Sequence, residues 1–68
     1  MKLYTIECRK ATSSTFREIK AANIYEAKKT AAKLFGTSNA IHIFFNSLHV
    51  AFRFAGTRKW YGDGINEI

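Results

Sequence analysis

The sequence predicts an α+β fold: a small antiparallel β-sheet of four or five strands with one α-helix packed on one face, in the order β-β-α-β-β-(β). Three observations predict it. A single stretch, from Asn23 to Gly36, carries the start, body and stop signals of a helix. After it come two runs rich in Ile, Val, Phe and Leu, at residues 40–45 and 48–54, joined by the polar pair Asn46-Ser47. Before it lie two shorter alternating runs with a polar break between them.

Residues 2–8 place Tyr4, Ile6 and Cys8 on one side and read as a first strand. The break at residues 9–14 has no glycine or proline to fix a turn type, so a loose loop is expected there. Residues 15–21 form a second strand in which Ile19 and Ala21 share a face. Its charges mark it as the weakest strand and as an edge, where charge discourages unwanted pairing. Asn23 then supplies an N-cap oxygen, and Glu26 three residues on completes a capping box. Ile24, Ala27, Ala31 and Leu34 recur at spacings of three and four and make a stripe for the sheet, with Phe35 on its border. Lys29 and Lys33 fall opposite that stripe and Lys28 at its flank, while Gly36 suits the left-handed residue that ends a helix.

In the two long strands Ile41, Ile43 and Phe45 share one face, as do Leu48, Val50, Phe52 and Phe54, and these residues are the expected partner of the helix. The other face then carries His42, Phe44, His49, Ala51 and Arg53. Gly56 marks a turn, after which residues 57–61 return as a final short strand. Gly62-Asp63-Gly64 ends regular structure, and residues 65–68 are expected as a loosely held tail. With 68 residues, no internal repeat and no linker, residues 1–68 read as a single domain. Six Phe, three Tyr and one Trp supply the apolar area that so short a chain needs.

Several function classes find nothing to rest on. The lone Cys8 excludes an intrachain disulfide framework and reads as a half-buried strand residue in a reducing compartment. His42 and His49 approach each other across the hairpin, but no Asp, Glu or Cys stands at a spacing that completes a triad or a metal site. Gly62-Asp63-Gly64 lacks the further oxygens of a calcium loop, and there is no phosphate-cradling glycine motif. We therefore expect a protein that is not an enzyme and uses no cofactor or metal. No run of about 18 apolar residues is present and the N-terminus lacks an apolar leader, so a cytoplasmic protein is expected.

Charge points elsewhere. Eleven Lys and Arg against five Asp and Glu give a net charge of +6, a strong positive field for a small body and one suited to nucleic acid or to a protein surface that handles it. The cations gather in two groups. Lys28, Lys29 and Lys33 lie on the helix, and Arg53, Arg58 and Lys59 lie around the C-terminal strands, beside Trp60 and Tyr61. The first group resembles the lysine helix of double-stranded-RNA-binding domains, but in that fold the helix follows the strands, whereas two long strands follow it here. Arginine beside aromatic rings is a pairing found at interface centres and on surfaces that stack bases.

From Ile19 onward the layout resembles a family of small phage-encoded anti-CRISPR proteins of nearly this length, inhibitors of the type I-F surveillance complex. The residues that carry the resemblance are Ile19-Lys20-Ala21, Ala27-Lys28-Lys29 with Ala31 and Lys33, then a hairpin, Ala51-Phe52-Arg53, Gly56 and Arg58-Lys59-Trp60. The resemblance implies a sheet and one helix that bind the backbone protein subunits of a CRISPR effector complex along its guide RNA and so keep target DNA from hybridising. By position it implies contacts from Lys28, Lys29 and Lys33, then Arg53 and one of Arg58 or Lys59. The expected function is thus a non-enzymatic inhibitor acting in the cytoplasm of a bacterial host, as a monomer or homodimer. The alternative is a small basic accessory protein that binds DNA or RNA directly through the same cations.

Overall fold

The computed structural model describes residues 1–62. Five elements follow one another: β1 (Lys2–Arg9), β2 (Ser14–Ala21), α1 (Ile24–Phe35), β3 (Ala40–Phe45) and β4 (Leu48–Arg53). They build a four-stranded antiparallel sheet in the order β2-β1-β3-β4, with the helix on one face. The α+β class and element order expected from the sequence hold. The charged second strand is an edge, as its composition implied.

Local chemistry explains each connection. The break after β1 is a defined turn rather than a loose loop, because Lys10 N–H donates to the Ser13 carbonyl at 2.8 Å. Asn23 caps α1 by accepting the Glu26 N–H at 3.0 Å, an interaction worth about 1 kcal/mol against alanine. At the other end Gly36 has φ 65°, and its N–H donates to the Ala32 carbonyl at 2.9 Å. The β3-β4 hairpin turns through Asn46 and Ser47, both at positive φ (52° and 67°), as a two-residue connection between twisted strands requires. The expected fifth strand is reduced to one bridge, in which Phe52 and Tyr61 exchange both backbone hydrogen bonds. Asp63, Gly64 and the expected tail at residues 65–68 lie outside the described residues.

The core sits between helix and sheet. Tyr4, Ile6, Ile41, Ile43 and Val50 are fully buried there against Ala27 and Ala31, whose small side chains let the helix lie close. The contact stripe runs through Ile24, Ala27 and Ala31 as expected but ends on Phe35 rather than Leu34. This brings the stem of Lys28 in, at 8% exposure, and leaves Leu34 exposed on the border. Among the described residues no helix is long and apolar enough to cross a membrane.

One irregularity reassigns half of β4. Ile43 faces Ala51, but the next residue, Phe44, faces His49, so Val50 is an extra residue in β4. Such a bulge reverses the alternation beyond it. Ala51 and Arg53 consequently join Ile43 and Ile41 on the helix side, while Phe52 pairs with His42 on the other side. The expected sharing is overturned at these positions. Phe52 and Phe54 belong to the open face of the sheet, and Arg53 is buried at 2% exposure where an aromatic ring was expected.

A candidate anion-binding cleft beside the helix

The reversal in β4 sends Arg53 toward the C-terminal half of α1. There its Nη2 donates to the Gly36 carbonyl, the last group of the helix cap. The segment after β4 is tied to the same place, because Gly56 N–H donates to the Thr37 carbonyl at 2.7 Å. Thr57 turns the chain by donating from its N–H and its hydroxyl to the Phe54 carbonyl. The Phe52-Tyr61 bridge then fixes the register, so that Trp60 points to the helix side and packs against the core.

These constraints leave a cleft of about 690 Å³ between α1 and the returning chain. Tyr25, Lys28, Lys29 and Ala32 line its helix side, spaced so that they share one surface of α1. Gly36 and Thr37 close one end, and Arg53, Arg58 and Trp60 form the opposite wall. The indole organises the cations. The Arg53 guanidinium carbon lies 5.1 Å from its ring centre and the Lys28 ammonium 6.0 Å, close enough for cation–π attraction. Lys29 is placed 5.4 Å from the Tyr25 ring and 3.8 Å from the Glu26 carboxylate.

The electrostatics are one-sided. Among the described residues that line the cleft there are four cations and no carboxylate. Arg53 Nε is buried without a hydrogen-bond partner among the described residues. Burial, followed by the neighbouring Arg58 charge, pulls the Arg53 guanidinium below its ordinary pKa, with the Cys8 thiol opposing. An arginine nevertheless stays charged. A buried cation without a counter-charge is costly, and an anion entering the cleft removes that cost. A carboxylate or phosphate fits the donors, since guanidinium groups bind both through paired hydrogen bonds.

Of the six cations singled out in the sequence, Lys28, Lys29, Arg53 and Arg58 converge on this cleft. Lys33 stands exposed on the last turn of α1, and Lys59 faces the other side of the molecule, 5.4 Å from the Tyr61 ring centre. Tyr25 and Thr37 were missed. Tyr25 was detectable only as the residue three and four places before Lys28 and Lys29 on one helix face.

The histidine pair lies elsewhere. His42 Nδ1 and His49 Nε2 are 3.0 Å apart on the open face. Among the described residues no three His, Cys, Asp or Glu side chains gather to hold a metal ion. Burial, then the charges of Arg9 and His49, holds His42 below the ordinary imidazole range, and Glu7 partly opposes them. Cys8 is buried in the sheet.

Compared with known proteins, the chain matches no family model, no curated protein and no solved structure.

Proposed function

We propose that the protein is a non-enzymatic inhibitor of the anti-CRISPR kind, which binds protein subunits of an RNA-guided surveillance complex and blocks access of target DNA. The observation that carries this reading is the cleft: Lys28, Lys29, Arg53 and Arg58 line it together with Trp60, and no carboxylate is among its described lining residues. A surface of this kind suits a carboxylate presented by a protein that handles nucleic acid. An arginine, an indole and a tyrosine at its centre are the residue types that dominate binding energy at interfaces. The area around the cleft matters less than this cluster of side chains, because interface area does not translate into affinity.

Capture of a type I-F surveillance complex on the immobilised protein, with and without nuclease, tests the reading. Capture should survive nuclease. The double variant Lys29→Glu/Arg58→Glu should lose it by about a hundredfold or more, because a reversed charge sets repulsion where attraction was. Lys33→Glu, outside the cleft, should change it by less than about threefold. Unchanged capture by the double variant removes the cleft from the interface, and capture that disappears with nuclease replaces the protein partner with a nucleic acid.

A further inference from the structure

The face of the sheet turned away from the helix carries a continuous row of rings. Four rings from β3, β4 and the bridged Tyr61 form a ladder of nearly parallel planes. Phe44 and His49 are 5.0 Å apart at 29°, His49 and Phe52 5.5 Å at 27°, and Phe52 and Tyr61 5.4 Å at 20°. Phe54 stands edge-on to both Phe52 and Tyr61 and is 56% exposed. On the far strand of the same face Phe16, opposite Glu7, is 61% exposed. Exposed rings gathered in this way are informative, whereas single exposed apolar residues are ordinary.

The charges bordering the rings decide what covers them. Lys59 lies over Tyr61, and Arg9 is on the same face. Glu7 is buried and already engaged by Arg9 at 3.2 Å. A second copy of the chain, itself at +6, would bring these cations against their own copies. A polyanion that carries flat rings has the complementary charge and can extend the ladder, since every nucleobase has a π-face.

We propose that the open face of the sheet is a stacking platform for single-stranded nucleic acid, separate from the cleft and independent of the partner assigned to it. Bases stack on His49, Phe54 and Tyr61, and the backbone phosphates meet Lys59 and Arg9. Duplex DNA, whose bases are already stacked on one another, cannot use the rings.

Fluorescence anisotropy with a labelled twenty-nucleotide oligo(dT), and with a duplex of equal length, tests the proposal on the full chain. Single-strand binding should be measurable at about 50 mM salt and fall steeply as salt rises, through counterion release. The variant Phe54→Ser/Tyr61→Ser should weaken it by about tenfold or more, while Lys29→Gln/Arg58→Gln in the cleft should change it by less than about threefold. Both substituted rings are solvent-exposed, and a circular-dichroism melt checks that the fold is kept. The proposal is overturned if the ring variant binds as the parent does, if the duplex binds as tightly as the single strand, or if no binding occurs at low salt. It is also overturned if sedimentation shows a homodimer that Phe54→Ser dissolves.

Discussion

The two faces of the sheet use the same two kinds of side chain, aromatic and cationic, under opposite conditions. On the helix side a guanidinium is buried and an indole covers it, so the charge is expensive and the ring inexpensive. On the open side the rings are exposed and the cations solvated, so the rings are the groups with something to gain from a partner. The difference teaches that a basic, aromatic-rich composition has no single meaning. What each face can bind depends on which member of the pair has been taken out of water.

The largest expected effect sharpens the contrast in stability. Ile43, fully buried beneath the helix, should cost about 3 kcal/mol when changed to alanine, through lost burial and the cavity left behind. Phe54→Ser on the open face should stay within about 0.5 kcal/mol, because its ring is already mostly in water. Urea unfolding of both variants measures the pair, and similar costs would erase the distinction between the faces.

A smaller effect should have the opposite sign. Arg53→Met removes the buried charge and keeps an apolar stem beside Trp60, so the unfolding midpoint should rise by roughly 5 °C, about 1 kcal/mol for a domain of this size. Capture of the surveillance complex should fall together with that gain. Calorimetry decides between this and the reverse outcome, in which the hydrogen bond to Gly36 outweighs the cost of burial.

The smallest effect is pH-linked and belongs to the open face. A histidine whose folded pKa is depressed leaves the unfolded chain to take the proton first. The stability His42 contributes above its unfolded pKa, about 6.5, is therefore lost as pH falls through the folded value. Glu7 acts with the same sign at lower pH. Burial alone would raise its pKa, but hydrogen bonds from Arg9 and Ser14 and the charges of Arg9 and His42 hold it below the ordinary range. The melting midpoint should decline between about pH 7 and pH 5, and decline less in His42→Gln. Equal slopes in the two proteins would remove His42 from the account.

Much of this was legible in the sequence, for reasons that are local. Asn23, Glu26 and Gly36 mark the ends of the helix through backbone chemistry that needs no tertiary partner. Asn46-Ser47 marks the hairpin in the same way. The strand faces failed at Val50, because Val50, Ala51 and Phe52 are all apolar and an extra residue inside such a run leaves the face of each one open. What settles the register is distant. Trp60 supplies apolar cover at the end of β4 on the helix side, where Phe52 was expected to supply it. The cleft's four cations were visible as two groups, but their convergence depends on that register and on the tie between Gly56 and Thr37.

Val50 therefore acts as a parity marker for everything downstream of it in β4. Substitutions elsewhere in the strand edit one face at a time, whereas pairing Val50 regularly with Ile43 would exchange the contents of both, sending Arg53 outward and Phe52 under the helix. Deleting Val50 would instead leave Ile43 facing Ala51 and Ile41 facing Arg53 in an unbroken ladder, so it is the register of β4, more than the residue itself, that decides which side each later residue takes.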